Sequence, residues 1–354
     1  MVSLDYSEEY LTSALQSNLD WIIKSFEINN NLGSSAYRTS WGTWAKPYPE
    51  TTGYLIPSLL KASVFDHKGI LKNLCLKQLE YFRDLQNTDG SFASSASERK
   101  PNVFDSAQIL QGLMALYSID GKAETRNMAE KCFHWLSSEI GADGSFSNYN
   151  LSDAYNPLYY TRISWILMKA DKSLGMEYNE KTSLLFEKQL ENWDADFIDK
   201  TAFYPGSAAF SHTVIYALRG LYECAIILNH KEALQKFNAS LHELLNIVVQ
   251  TNGLPGQFFN SKYSTAYTCS TGNLQFSLLL LKCNDILEER IINDLLALLL
   301  KPVLKSQRKY FFNKGAIPSS LPVYKNYQRF RYTNWTQKFF IDVLLSLLSP
   351  DRKY

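Results

Sequence analysis

The sequence predicts an all-α fold: a ring of about six helical hairpins with parallel inner helices, in a single domain over 1–354. Three observations predict it. The turn Asp-Gly-Ser-Phe occurs at Asp89–Phe92 and again at Asp143–Phe146, 54 residues on. The "QGL" of Gly112 and the "RGL" of Gly220 stand 108 residues apart, twice that interval. Between these marks apolar residues recur at helix spacing, and β-rich stretches are scarce. A two-helix hairpin cannot bury its apolar face alone, so neighbours must cover it, and six can close into a ring.

The elements follow in order. A helix over about 7–27 finds its partner at the other end of the chain, at 333–348. The segment 51–65 pairs with 69–86. Phe104, Ala107, Leu110, Leu113, Met114 and Tyr117 mark the next inner helix, and "AETRNMAEKCFHWLSSEI" follows it and stops near Gly141. Further pairs are expected at 155–170 with 175–192, 208–228 with 231–249, and 265–283 with 286–302. "RKYFFN" at 308–313 reads as a short strand or extended loop. The outer members carry more charge, as in "KTSLLFEKQLENW", which suits a solvated face. The inner helices begin near 51, 104, 155, 208, 265 and 333, and in a parallel ring these starts meet at one mouth.

Composition narrows the function. Apolar residues make up 45% and charged residues 20%, a globular balance. Net charge is +1, from 36 basic and 35 acidic residues, which argues against nucleic acid or anionic membrane as a partner. The 22 Tyr and 7 Trp offer flat apolar faces with polar edges, suited to sugars or to a large aromatic core. Five dispersed cysteines without a C-x-x-C pair fit free thiols in a reducing compartment. The start of the chain lacks the pattern of a signal peptide, and "FSLLLLKC" is too short to span a membrane. A cytoplasmic protein is therefore expected. Zinc-protease, EF-hand, P-loop and dinucleotide motifs are all missing, so no cofactor or metal is expected.

The hairpin period and the Asp-Gly-Ser-Phe turns resemble the α/α-toroid folds. These include six-hairpin glycosidases, N-acylglucosamine 2-epimerases, heparinase-type lyases, and the terpenoid cyclase and protein prenyltransferase group. More narrowly, "YPETTGYLIPSLL", "FDSAQILQGL", "HTVIYALRGL" and "CSTGNLQFSLLLLK" are similar to bacterial polysaccharide-biosynthesis proteins of the VpsJ type, over about residues 40–285. The resemblance implies a role in making or tailoring surface polysaccharide, with a glycan or sugar as substrate and contact with other assembly proteins. The Asp-rich motif of the cyclases and the Asp/Cys/His zinc set of the prenyltransferases are not apparent, which places isoprenoid chemistry behind carbohydrate chemistry.

The inner helix starts hold the candidate site. Glu50, Thr51, Thr52 and Tyr54 crowd the first. Capping by a threonine, with a glutamate favouring the positive helix end, would explain part of that group. A carboxylate facing sugar hydroxyls, or serving as acid or base, would explain Glu50 differently. Asp105 occupies the same place on the next inner helix, with the same two readings. Arg162, beside Tyr160, suits bidentate carboxylate recognition or a structural ion pair. His212 alone among five histidines falls at an inner start, where it could move a proton. Arg219 lies two turns further down. Tyr267 and Asn273 crowd the fifth start, and Trp335 the sixth; Trp41 and Trp44 in the entry loop could be sugar platforms or a hydrophobic plug. Cys269 reads as a buried thiol, since no base is readable beside it.

Two chemistries fit these residues. Glu50 and Asp105 would form the carboxylate pair of a glycosidase. Alternatively His212, alone or with a tyrosine, would move a ring proton in a lyase or epimerase, with Arg162 or Asn273 holding the sugar. A non-catalytic glycan-binding or scaffolding subunit would show the same aromatic cleft without a working pair. If the site is one cleft, Glu50 and Tyr54 face His212 and Asn273 across it.

Overall fold

The computed structural model describes residues 6–66, 69–95, 97–176, 180–260, 262–308 and 311–349. Twelve α-helices are found among them. The inner set is α2 (Pro49–Ala62), α4 (Val103–Asp120), α6 (Thr161–Leu174), α8 (Ser211–Leu228), α10 (Ser270–Lys282) and α12 (Asn334–Leu348). The outer set is α1 (Glu8–Glu27), α3 (Ile70–Leu85), α5 (Ala123–Glu139), α7 (Glu180–Glu191), α9 (Lys231–Thr251) and α11 (Glu289–Ser306).

The ring closes. Each inner helix packs on the next in order, and α12 packs back on α2. Each outer helix lies on its hairpin partner, with α1 against α12 as the terminal pair. The fold is the α/α toroid expected from the 54-residue repeat. The composition of the helices explains the two layers. The inner helices α4 and α8 are buried almost all round, whereas α9 and α11 bury one stripe and expose charge on the other.

The repeated sequences are structural devices. In both Asp-Gly-Ser-Phe turns the aspartate Oδ1 accepts the backbone N–H and the hydroxyl of the serine two residues on. The glycines take φ of 97° and 79°, and a Cβ on either would sit 2.4 Å from a carbonyl of the next outer helix. Phe92 and Phe146 then fall fully buried into the core. The glycine of "QGL" serves a different end. Pro57 inside α2 has no N–H to give the Gly53 carbonyl. Gly112 of α4 presses on that carbonyl, where a Cβ would come within 2.5 Å. Gly220 meets Thr161 of α6 at similarly close range. Small residues thus let successive inner helices touch.

The strands are two or three residues long and edge the mouth. Tyr37–Thr39 pairs antiparallel with Arg331–Thr333, tying the entry loop to the start of α12. The expected strand or extended loop at 308–313 is instead a 3-10 turn over Phe311–Asn313; residues 309 and 310 lie outside the described residues. No described helix is long and apolar enough to cross a membrane.

Candidate active site at the inner N-terminal mouth

Five of the six inner starts wall a cavity of about 490 Å³. Glu50 and Tyr54 of α2, Asp105 of α4, Tyr160 ahead of α6, His212 of α8 and Trp335 of α12 all line it. No Lys or Arg does.

The local structure frees the two carboxyls from capping. At α4 the cap is Asn102, whose side-chain oxygen accepts the N–H of Phe104 at 2.8 Å and of Asp105 at 3.2 Å. Asp105 is left to face the cavity. At α2 the helix begins on Pro49, which needs no donor partner, and neither threonine caps it. Thr51 donates its hydroxyl to Glu50 Oε2 at 2.9 Å. Thr52 donates to the Tyr48 carbonyl at 2.8 Å and accepts the Ser34 N–H at 3.0 Å, so it fastens the entry loop and does not face substrate.

The two acids share one electrostatic problem. Burial, and after it the facing Asp105 charge, push Glu50 up to about 8. Burial pushes Asp105 up to about 7, against hydrogen bonds from Ser94 and Tyr48 that favour its charged form. Tyr48 stands near both, and burial with the two carboxylates holds its hydroxyl protonated. Two neighbouring buried carboxyls do not both ionise, so near neutral pH the pair keeps a proton.

His212 sits in an aromatic box, with ring centroids of Tyr327 at 4.8 Å and Phe203 at 5.6 Å. Burial drives its pKa down to about 3, so the ring is neutral. Its Nδ1 is buried without a hydrogen-bond partner. That atom can accept or donate one hydrogen bond but is a weak base.

The other expected residues lie elsewhere. Arg162 passes beneath the floor of the mouth. Its Nε donates to Gln108 Oε1 at 2.7 Å, an Nη donates to Gln111, and the guanidinium lies 4.8 Å from the Tyr216 ring. Arg162 and Arg219 line a second cavity on the far side of that floor. Asn273 turns outward and donates to the Leu299 carbonyl of α11 at 3.0 Å, so it does not face Glu50. Tyr267 packs with Cys269 behind the cavity and donates its hydroxyl to Gln257. Trp44 packs on Trp21 of α1 at 4.8 Å, and Trp41, 63% exposed, lies against Phe330. Neither tryptophan lines the cavity; the entry loop that carries them is held at Tyr37–Thr39 by pairing with Arg331–Thr333.

Sequence reasoning missed Tyr48, Ser94, Tyr216 and Tyr327. Tyr48 immediately precedes Pro49-Glu50, and Tyr216 follows His212 by one helical turn, so helix register could have found both. Tyr327 comes from an irregular loop, where its hydroxyl accepts from Trp335 Nε1 at 2.7 Å; no periodicity marks it.

No protein-family model and no curated protein matches the chain. Solved structures do match over nearly the whole chain. An unsaturated glucuronyl hydrolase specific for heparin has a TM-score of 0.75 at 10% identity, covering 98% of this chain and 99% of its own. The cellobiose 2-epimerase of Spirochaeta thermophila has 0.73 at 11%, covering 97% of each. The unsaturated glucuronyl hydrolase of Bacillus sp. GL1 has 0.72 at 11%, covering 95% and 96%. At this identity the likeness is one of fold.

Proposed function

We propose that this chain is a carbohydrate-active enzyme of bacterial surface-polysaccharide metabolism that hydrolyses a glycosidic bond at the N-terminal mouth. The observation that carries the reading is the buried pair Glu50 and Asp105, both raised, in an aromatic cavity that no described Lys or Arg lines. Hydrogen bonds from Ser94 and Tyr48 favour the charged form of Asp105, and Glu50 holds the proton of the pair. It donates that proton to the glycosidic oxygen as the bond to the anomeric carbon breaks. Asp105, supported by Tyr48 and Ser94, faces the cation-like sugar as the anion. Water adds to the anomeric carbon and gives up a proton to the pair, which restores the starting state. The walls of Phe104, Tyr160, Tyr216 and Trp335 seat the sugar faces.

Similarity in fold to glucuronyl hydrolases and a sugar epimerase supports a carbohydrate substrate. The surface-polysaccharide setting and contact with other assembly proteins rest on the motif resemblance over 40–285, and a cytoplasmic location rests on the dispersed cysteines. Proton abstraction, as in an epimerase or lyase, is the second reading. It is favoured by the unpartnered Nδ1 of His212 and disfavoured by the imidazole's low basicity.

The test is to incubate the purified chain with bacterial surface oligosaccharides and follow products by NMR. Hydrolysis gives a new reducing end, and the anomer first released tells whether Asp105 attacks the sugar or activates water. Glu50→Gln and Asp105→Asn should each slow it by about 10²–10⁴-fold. Glycan that binds with no bond changed overturns the enzyme reading in favour of a binding subunit.

A further inference from the structure

The ring has a second cavity, of about 600 Å³, on the C-terminal side of the floor made by Tyr54 and Tyr216. Its charge contrasts with the whole molecule. The chain's net charge is +1, yet seven basic side chains and two acidic ones line this cavity.

Helix ends do not explain that excess. Lys61, Lys172 and Lys282 lie in the last turns of α2, α6 and α10, where cations offset the helix dipole. Arg162 and Lys338 lie in the first half of their helices, and Lys169 and Arg219 mid-helix. The acids are already used. Glu223 accepts from Arg219 at 2.7 Å and Lys282 at 2.9 Å, and Asp342 accepts from Lys338 at 2.6 Å. Arg162 and Lys169 form no ion pair among the described residues. With Arg219 they surround one indole, that of Trp165, at 5.0–5.5 Å from its centroid. Gln275, 5% exposed, also lines the cavity beside the Tyr216 hydroxyl, so part of its amide is left to meet a ligand. A buried Arg162 and a half-buried Lys169 without ion pairs, beside an under-satisfied amide, are costly to fold unless a ligand meets them.

We infer that this second cavity binds a multiply charged phosphoryl group, as an organic phosphate or diphosphate ester. A single carboxylate would leave most of the excess unmatched, whereas a phosphate carries about −1.5 to −2 and forms several charge-assisted hydrogen bonds. The volume exceeds that of a bare phosphate, and Met114, Met168, Leu278 and Phe339 offer apolar wall to the rest of the ligand. Burial pushes Lys169 and Lys338 down to about 8, and an anion against them would oppose that loss of charge. The site lies across the Tyr54 and Tyr216 floor from the carboxylate mouth, whose chemistry it does not need.

Calorimetry of the full chain tests this with inorganic pyrophosphate, phosphate, glucose 1-phosphate and glucuronate as probes. Pyrophosphate should bind more tightly than phosphate, glucose 1-phosphate more tightly than phosphate, and glucuronate weakest. Lys169→Met should weaken pyrophosphate about tenfold or more, Lys169→Arg should restore it, and Glu50→Gln, across the floor, should leave it unchanged. Lys172→Glu, at an exposed rim position, gives the same reading should Lys169→Met fail to fold. No pyrophosphate binding, glucuronate binding as tightly, or loss of binding in Glu50→Gln but not at Lys169 or Lys172 would overturn the site. Glucose 1-phosphate no tighter than phosphate would overturn the ester.

Discussion

Asn102 caps α4, and Asp105 therefore does not. The Asn102 side-chain oxygen takes the N–H groups of Phe104 and Asp105, so the Asp105 carboxyl faces the cavity with Tyr48 and Ser94 as its partners. Under the hydrolytic reading the two residues divide a stability role from a chemical one. Asn102→Ala should cost about 1 kcal/mol of unfolding free energy. Asp105→Asn should cost no stability at pH 7–8, because it removes a buried group whose charged form the fold disfavours, yet lower kcat by about 10²–10⁴-fold. Urea unfolding beside steady-state kinetics checks both, and a large stability loss in Asp105→Asn would return that residue to a structural role.

His212 separates the two chemistries. Under the hydrolytic reading its neutral ring offers one hydrogen bond from Nδ1 to the sugar and no proton transfer. His212→Phe should fill the aromatic box, keep the fold, and raise KM about tenfold, the worth of a lost hydrogen bond, with kcat little changed. A collapse of kcat with KM unmoved would instead assign His212 as the base of an epimerase or lyase. NMR titration of the imidazole should show it neutral well below the usual histidine range.

The close approach of α2 and α4 rests on Gly112. A Cβ there would lie 2.5 Å from the Gly53 carbonyl oxygen, and backbone cannot yield as a side chain can. Gly112→Ala should cost about 1–3 kcal/mol through forced separation of the helices. The denaturant midpoint should fall with an unchanged slope. Unchanged stability would mean the ring absorbs the shift elsewhere.

The ring was readable because its signals are local and repeated. An Asx turn at Asp89 and another at Asp143, each followed by a buried phenylalanine, mark where one hairpin hands on to the next. Glu50, Asp105 and His212 were readable for a related reason: a helix start fixes depth along the ring axis, and parallel inner helices bring those depths together. Azimuth is harder to read. Asn273 sits near a start as they do, but it points at α11. Arg162 is the second residue of α6, as Glu50 is of α2, yet its length carries the charge beneath the floor to Gln108 and Gln111. Trp41, Trp44 and Tyr327 belong to loops whose paths are set by pairing across nearly the whole chain, between 37–39 and 331–333. Nothing in a local window encodes that.

The carboxyl pair makes activity and stability respond to pH in different ways. Both groups are raised above their ordinary values, Glu50 to about 8 and Asp105 to about 7, by burial first. In the unfolded chain both ionise near pH 4. Between that pH and about 8 the folded state therefore binds more protons than the unfolded state, and unfolding free energy falls as pH rises. The contribution is most favourable below the unfolded values and is spent by about pH 8. Glu50→Gln should flatten that slope and stabilise the chain at pH 8. Under the hydrolytic reading activity needs one proton on the pair, so kcat should peak between about 7 and 8. It should fall on the acid side as the second proton binds and on the alkaline side as the last one leaves, with apparent values that belong to the pair. Thermal melts and kcat profiles of wild type and Glu50→Gln over pH 5–9 measure both effects. A wild-type stability that rises across pH 5–8, with Glu50→Gln removing the rise, would show that Glu50 is ionised in the fold and would end its role as the general acid.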